Sequence, residues 1–352
     1  MKIKKRALGI LFNLVILAVG GFGYIRYRDT KRPPEINVWF PTAQVVGQSG
    51  LAQNQVNIIG NVFDLDGIKS LYYSLNSSTE THLSYGPDSR RLEKTGDFNI
   101  DLPIEDLNQG INTVTIFAWD QMENKREKEI KLFYDPKDVQ LPFRIIWNQI
   151  DSIDQVGMVV DGKWEITDDG LGTEVPGYDR LVAIGDFNWK NYDVFMKYRI
   201  NSVVRSGWEY PSGSPGVGLI LRWQGHTDFP KAGWQPRSGW LPLGAITWIR
   251  WDEDKQGAQY QILEGNEGTV IVSEDYGRNP QTGDWFMIRA QADTNSNNET
   301  IYRVKFWADD EEEPGEWMLE AEYPSLDSGS IGILAHQVDI TVGEISVYPL
   351  ED

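Results

Sequence analysis

The sequence predicts an all-β protein, with two β-sandwich domains displayed behind one N-terminal transmembrane helix. Three observations carry this reading. A single uncharged apolar run lies beside the N-terminus. After it, short segments of alternating apolar and polar residues are separated by Gly, Pro, Asn and Asp, with no helical segment among them. The composition, 40% hydrophobic and 24% charged over 352 residues, is that of folded domains and allows more than one of them.

The apolar run covers residues 7–25 and is interrupted only by Asn13. As a helix it is about 28 Å long, close to the hydrocarbon thickness of a bilayer. Lys2, Lys4, Lys5 and Arg6 precede it, which makes residues 1–6 a short cytoplasmic tail and 7–25 a signal anchor. Residues 18–20, Ala-Val-Gly, offer a cleavage site as the alternative. Arg26, Arg28, Lys31 and Arg32 nearly balance the charge on the far side, within a linker over 26–34. The brief N-terminal tail favours an N-terminus inside, so the bulk of the chain is expected outside the cytoplasm, in the periplasm or at the cell surface.

Residues 35–135 read as the first sandwich. Strands are expected at 36–40, 55–63, 70–75, 97–102, 112–120 and 129–134. In the fifth, Val114, Ile116 and Ala118 point one way, and Thr113, Thr115, Phe117 and Trp119 the other. Turn signals stand between the runs at Asp66-Gly67, Gly86-Pro87 and Gln109-Gly110. The segments from Val56 to Leu71 and from Gly110 to Asp120 resemble bacterial Ig-like domains. That resemblance implies a spacer or stalk. By analogy with cadherin-like relatives, it also offers Asp64, Asp66 and Asp120 as Ca²⁺ ligands, against a competing reading in which they shape turns.

A Pro-containing linker, 136–142, leads to the second domain, 143–350. About a dozen strands are expected there: at 162–167, 180–184, 192–200, 216–224, 245–252, 258–264, 269–274, 285–292, 300–307, 317–323, 332–336 and 339–348. That number requires two large sheets. Four segments, Tyr178 to Ile200, Gly216 to Gln224, Tyr302 to Trp317 and Gly329 to Pro349, resemble the concanavalin A-like, laminin-G-like jelly rolls in the same order. The resemblance implies a jelly-roll sandwich with a concave sheet that receives glycans. It transfers no activity.

The charge balance is 33 basic against 52 acidic residues, a net −19, and no basic stretch lies beyond the N-terminus, so a nucleic-acid partner is not expected. Cys is absent, which excludes a disulfide framework, a lipoprotein anchor and thiolate metal sites. Three His make a His-rich zinc site improbable. Aromatic content is high, with 14 Trp, 15 Tyr and 13 Phe, and serves either sandwich cores or sugar-stacking faces.

Alternation along 219–224 groups Ile220, Arg222 and Gln224 against Leu219, Leu221 and Trp223. Along 247–252 it groups Trp248, Arg250 and Asp252 against Ile249 and Trp251. Arg222, Gln224, Trp248, Arg250 and Asp252 are therefore expected on the open groove, where guanidinium forks grip hydroxyls or carboxylates and indoles stack. The loop from His226 to Leu243 adds His226, Trp234 and Trp240, and His336 follows at a strand end. The acidic run 309–313 reads as a solvated hairpin tip.

No E-x-D-x-x-E strand, nucleophile elbow, P-loop, dinucleotide fingerprint or metalloprotease helix occurs. The function expected is therefore a membrane-anchored binding or structural protein, with a glycan or an envelope protein as partner and Ca²⁺ as the one metal in view. The alternative is a cell-surface carbohydrate-active enzyme using the same groove.

Overall fold

The computed structural model describes residues 31–204, 214–228, 235–252, 257–276, 280–297 and 299–350. Strand accounts for 55% of the structure and helix for 3%, so the all-β class holds. None of the described helices is long and apolar enough to cross a membrane, and the expected anchor at 7–25 lies outside the described residues.

The N-terminal part contains β1 (Glu35–Val38), β2 (Ala43–Val46), β3 (Gln55–Phe63), β4 (Ile68–Leu75), β5 (Thr81–His82), β6 (Asp97–Pro103), β7 (Gly110–Asp120) and β8 (Lys125–Tyr134). They form a three-stranded sheet, β1-β3-β6, and a five-stranded one, β2-β8-β7-β4-β5, with β2 parallel to β8. The alternation expected in β7 is present. Val114, Ile116 and Ala118 are buried in a core with Ile58, Phe98 and Ile130, while Phe117 and Trp119 lie on the outer face under the Lys125 ammonium. The acidic turns serve their own backbone. Asp64 accepts from the Asp66 amide, and Asp120 accepts from the amides of Met122 and Asn124. No cluster of three or more His, Asp or Glu that could hold a metal ion occurs among the described residues.

The larger part opens with β9 (Phe143–Ile145), β10 (Gly157–Asp161), β11 (Trp164–Thr167), β12 (Gly170–Thr173), β13 (Arg180–Ile184) and β14 (Tyr192–Val203). Then follow β15 (Gly216–Trp223), β16 (Ala245–Asp252), β17 (Gly257–Glu264), β18 (Val270–Asp275), β19 (Trp285–Thr294) and β20 (Thr300–Ala308). It closes with β21 (Leu319–Tyr323), β22 (Ser330–His336) and β23 (Val338–Pro349). Seven strands make one sheet, β10-β13-β22-β15-β16-β17-β18, and eight make the other, β11-β12-β23-β14-β19-β20-β21, with β9 added beside β23. All neighbours in both are antiparallel. The larger part is thus a sandwich of two antiparallel sheets, as the strand count leads one to expect.

Part of the aromatic content fills the space between these sheets. Trp147, Trp164, Trp189, Trp251, Tyr192, Tyr198 and Phe286 are buried there, and Tyr260 stacks on Phe306 at 4.7 Å and 10°. Residues 136–142, expected as a linker, carry no strand, yet Val139 and Leu141 pack on this core and the Trp189 indole donates to the Val139 carbonyl at 2.6 Å.

The two sandwiches join through a buried polar seam. Arg91 donates to both carboxylate oxygens of Asp101 and, at 2.6 Å, to Asp161 of β10. Asp161 also bonds His226 Nε2 at 2.8 Å. Asn57 donates to Asn99 and Asp101, Gln53 to Asn57, and the Trp223 indole to Gln53. Ser330 donates to the Ala52 carbonyl. Burial alone would oppose charge on Arg91 and Asp161. Attraction prevails: Asp101 and then Asp161 hold the guanidinium above its ordinary range, and Arg91 and then His226 hold the Asp161 carboxyl below its own.

Candidate binding site on the seven-stranded sheet

The outward face of the seven-stranded sheet is divided. Its β10 side lies under the N-terminal sandwich, and its β16–β18 side is not covered by that sandwich. This division relocates several residues expected in one groove.

Arg222 is the largest correction. It is fully buried, because the ladder shifts between Leu221 and Trp223 and Arg222 occupies the extra position at φ 56°. The bulge reverses the parity of everything after it. Trp223 falls on the same face as Ile220, and Arg222 turns inward between the sheets. It reaches Thr300 at 2.8 Å and Thr294 at 2.6 Å on the opposite sheet, together with the carbonyls of Lys190 and Leu326. Gly329 makes room for this, since a Cβ there would lie 2.3 Å from the Arg222 carbonyl carbon. Gln224 donates to the Ser328 carbonyl, and its own carbonyl accepts from the Asn54 amide, so it belongs to the seam.

The loop residues follow the same pattern. His226 is buried and packs edge-on to Trp223 at 5.1 Å and Trp240 at 5.3 Å. Gln235 and Arg237 of that loop bond the backbone and carboxylate of Asp101. The described part of this loop therefore seals the sandwich junction and leaves little of His226 for a ligand, while Trp240 is half-buried. Trp234 lies outside the described residues.

Trp248 and Arg250 behave as the alternation of β16 predicts. Ile249 and Trp251 enter the sandwich core, and Trp248 and Arg250 take the other face. The side chain of Asp252 lies outside what is described. Strand register sets two rows across this face. One runs His336, Gly216, Arg250, Gln259, Asp275, with Asp179 just before β13 reaching His336 by its side chain. The next runs Leu181, Leu334, Gly218, Trp248, Gln261, Ser273.

The absence of side chains at Gly216 and Gly218 lets the Trp248 ring lie over β15. A Cβ on Gly216 would come within 2.9 Å of that ring. Trp248 is thus only 6% exposed, enclosed beside Arg250 at 5.0 Å and His336 at 5.9 Å, and is not an open stacking platform.

A directed hydrogen-bond chain crosses the strands. The Trp248 indole donates to Gln261 at 3.0 Å, Gln261 to Gln259 at 3.2 Å, and Gln259 to the exposed Asp275 carboxylate at 2.8 Å. Each bond polarises the next and fixes the amide orientations. Arg250, Gln259 and Gln261, with Ser214 and Trp251, line a pocket of about 170 Å³. At the other end of the row, His336 Nδ1 donates to Asp179 at 2.6 Å, and Tyr178 packs against the ring at 5.2 Å. His336 Nε2, on the other side of the ring, has no partner among the described residues.

Gln259, Gln261, Asp275, Asp179 and Tyr178 were not anticipated. The two glutamines were readable from Ala258 to Leu263, where Gln259 and Gln261 alternate with the core residues Tyr260 and Ile262. Asp179 and Tyr178 join the site only through the pairing of β13 with β22, which no local pattern reveals.

No protein-family model matches the chain, and no curated protein matches it. Three solved structures illustrate what it is similar to. The carbohydrate-binding module CBM66 from Bacillus subtilis is 12% identical, with a TM-score of 0.35 over 55% of this chain and 94% of that one. The VIP36 exoplasmic/lumenal domain in its Ca²⁺/Man-bound form is 10% identical, with a TM-score of 0.40 over 59% and 90%. The alginate lyase Aly36B is 13% identical, with a TM-score of 0.37 over 60% and 98%. At these values none of the likenesses extends to a ligand or an activity of this chain.

Proposed function

We propose that this chain is an extracytoplasmic glycan-binding protein, tethered through residues 7–25, whose sugar site is the Arg250–Gln259–Gln261–Asp275 end of the sheet row. The observation that carries the reading is the oriented chain Trp248, Gln261, Gln259, Asp275 beside a guanidinium and a pocket. Fixed amides, a planar fork and a carboxylate on one plane complement adjacent hydroxyl groups, which both donate and accept. The tether is supported by the length and charge flanks of the apolar run.

The same geometry weakens the hydrolase alternative. The two carboxylates of the row, Asp179 and Asp275, stand at strands five spacings apart, about 24 Å. Glycoside hydrolysis needs a pair within about 5 to 9.5 Å.

The test is a glycan-array screen of the purified chain alongside Gln259→Ala and Asp275→Asn, with a reducing-sugar assay on every hit. Binding without turnover, weakened about tenfold or more by either substitution, supports the reading. Hits that both variants retain at full strength, or sugar release, would count against it.

A further inference from the structure

A second cleft of about 370 Å³ opens where the two sandwiches meet, away from the sheet row. Trp39 and Glu93 line it from the N-terminal part, and Lys163, Glu174 and Arg180 from the larger part. Its size falls within the range of about 300 to 1,000 Å³ usual for small-molecule sites, which favour such junctions.

Arg180 is the built feature of this cleft. Its side chain is only 2% exposed and is threaded through a slot left by two glycines. A Cβ on Gly162 would lie 2.0 Å from its Cδ, and one on Gly177 would lie 1.8 Å from its Nη2. The guanidinium donates Nε to the Val175 carbonyl at 2.9 Å and Nη1 to the Asp179 carbonyl at 3.0 Å. The remaining nitrogen, Nη2, meets Glu93 at 3.5 Å, too long for a good charge-assisted bond, and that carboxylate is 40% exposed. Lys163 is paired with Glu174 at the rim. A buried guanidinium thus stands with its outer edge loosely held by a carboxylate that is free to swing into solvent.

We infer that this cleft binds the carboxylate of an acidic saccharide. The ligand carboxylate takes the place of Glu93 on Arg180, and the sugar ring lies on Trp39. A planar fork matches a planar carboxylate, and an indole wall matches a sugar face. Because both sandwiches line the cleft, the bound sugar would also bridge them. The inference is independent of the sheet-row site.

Isothermal titration of the full chain with D-glucuronate tests it, with D-glucose and inorganic phosphate as comparison ligands. The expected result is saturable binding of glucuronate and none of glucose. Trp39→Ala and Arg180→Lys are expected to weaken it about tenfold. Glu93→Gln is expected to tighten it about two- to fivefold, because a competing carboxylate is removed. A merely structural Arg180–Glu93 pair predicts no gain from Glu93→Gln, and that substitution sits on an exposed side chain that folding tolerates. Absent binding, phosphate binding equal to glucuronate and indifferent to Trp39→Ala, or no tightening by Glu93→Gln would overturn the inference.

Discussion

Arg222 carries a positive charge into the interior without forming an ion pair among the described residues. Its hydrogen-bond partners are hydroxyls, a side-chain amide and main-chain carbonyls, and its charge lies 5.8 Å from the Tyr302 ring centre. Such a cation is held by the number and placement of its acceptors, since several dipoles must stand in for one carboxylate. Truncation would leave those acceptors without a donor inside the sandwich. Arg222→Ala should therefore lower stability by roughly 3 kcal/mol or more, read as a fall in the urea midpoint of the full chain. Arg222→Lys should recover little of it, because one ammonium cannot span acceptors spread over β19, β20 and two loops. Glycan binding by the protein that remains folded should be unchanged. A loss of binding at unchanged stability would return Arg222 to the ligand site.

The strands show how much a one-dimensional pattern can say. Alternation placed Val114, Ile116 and Ala118 inward in β7, and Ile249 and Trp251 inward in β16, because an uninterrupted pleat has a period of two residues. It failed in β15 because one bulge at Arg222 changes the parity of the residues beyond it, and nothing in Leu-Arg-Trp signals an inserted residue. The brief strands β2, β5, β9 and β12 and the strand β10 are absent from the expected set because their alternation is too short, or too uniformly apolar, to register. The open face was therefore legible at Trp248 and Arg250, and illegible where a second chain segment had to arrive.

Element geometry also yields a prediction. Gly218 of β15 pairs with Trp248 of β16, and a Cβ there would lie 2.1 Å from the Thr247 carbonyl oxygen and 2.6 Å from the Trp248 Cα. Backbone cannot yield as a flexible side chain would. Gly218→Ala should force the two strands apart, at a cost of about 1 to 3 kcal/mol. It should also displace Trp248 and the glutamine chain anchored on it. Hydrogen exchange should quicken across 245–252, and glycan affinity should fall in parallel. Unchanged exchange in β16 would mean that the sheet absorbs the methyl group elsewhere.

At the scale of the whole molecule, the seam decides whether the two sandwiches act as a stalk with a head or as one body. Resemblance to Ig-like spacers favoured the first. Arg91 bridging Asp101 and Asp161, both fully buried, with Asn99 and His226 closing the network, favours the second, since a hinge would expose or strand these charges. Removing one partner is far costlier than the pair is worth, so Arg91→Ala should lose about 3 to 5 kcal/mol. The pH dependence follows from Asp161, whose carboxyl the seam holds below its ordinary range against the opposing effect of burial. A group with a depressed folded-state pKa stabilises fully above its unfolded value, about 3.9 for Asp, and loses that contribution as pH falls through the folded value. Wild type should therefore exceed Asp161→Asn in urea midpoint at pH 7, and the gap should narrow as pH drops below about 4. A gap that stays constant from neutral to acid would mean that the Asp161 charge does not hold the sandwiches together. The junction would then rest on the Ala52, Trp223 and Leu334 packing beside it.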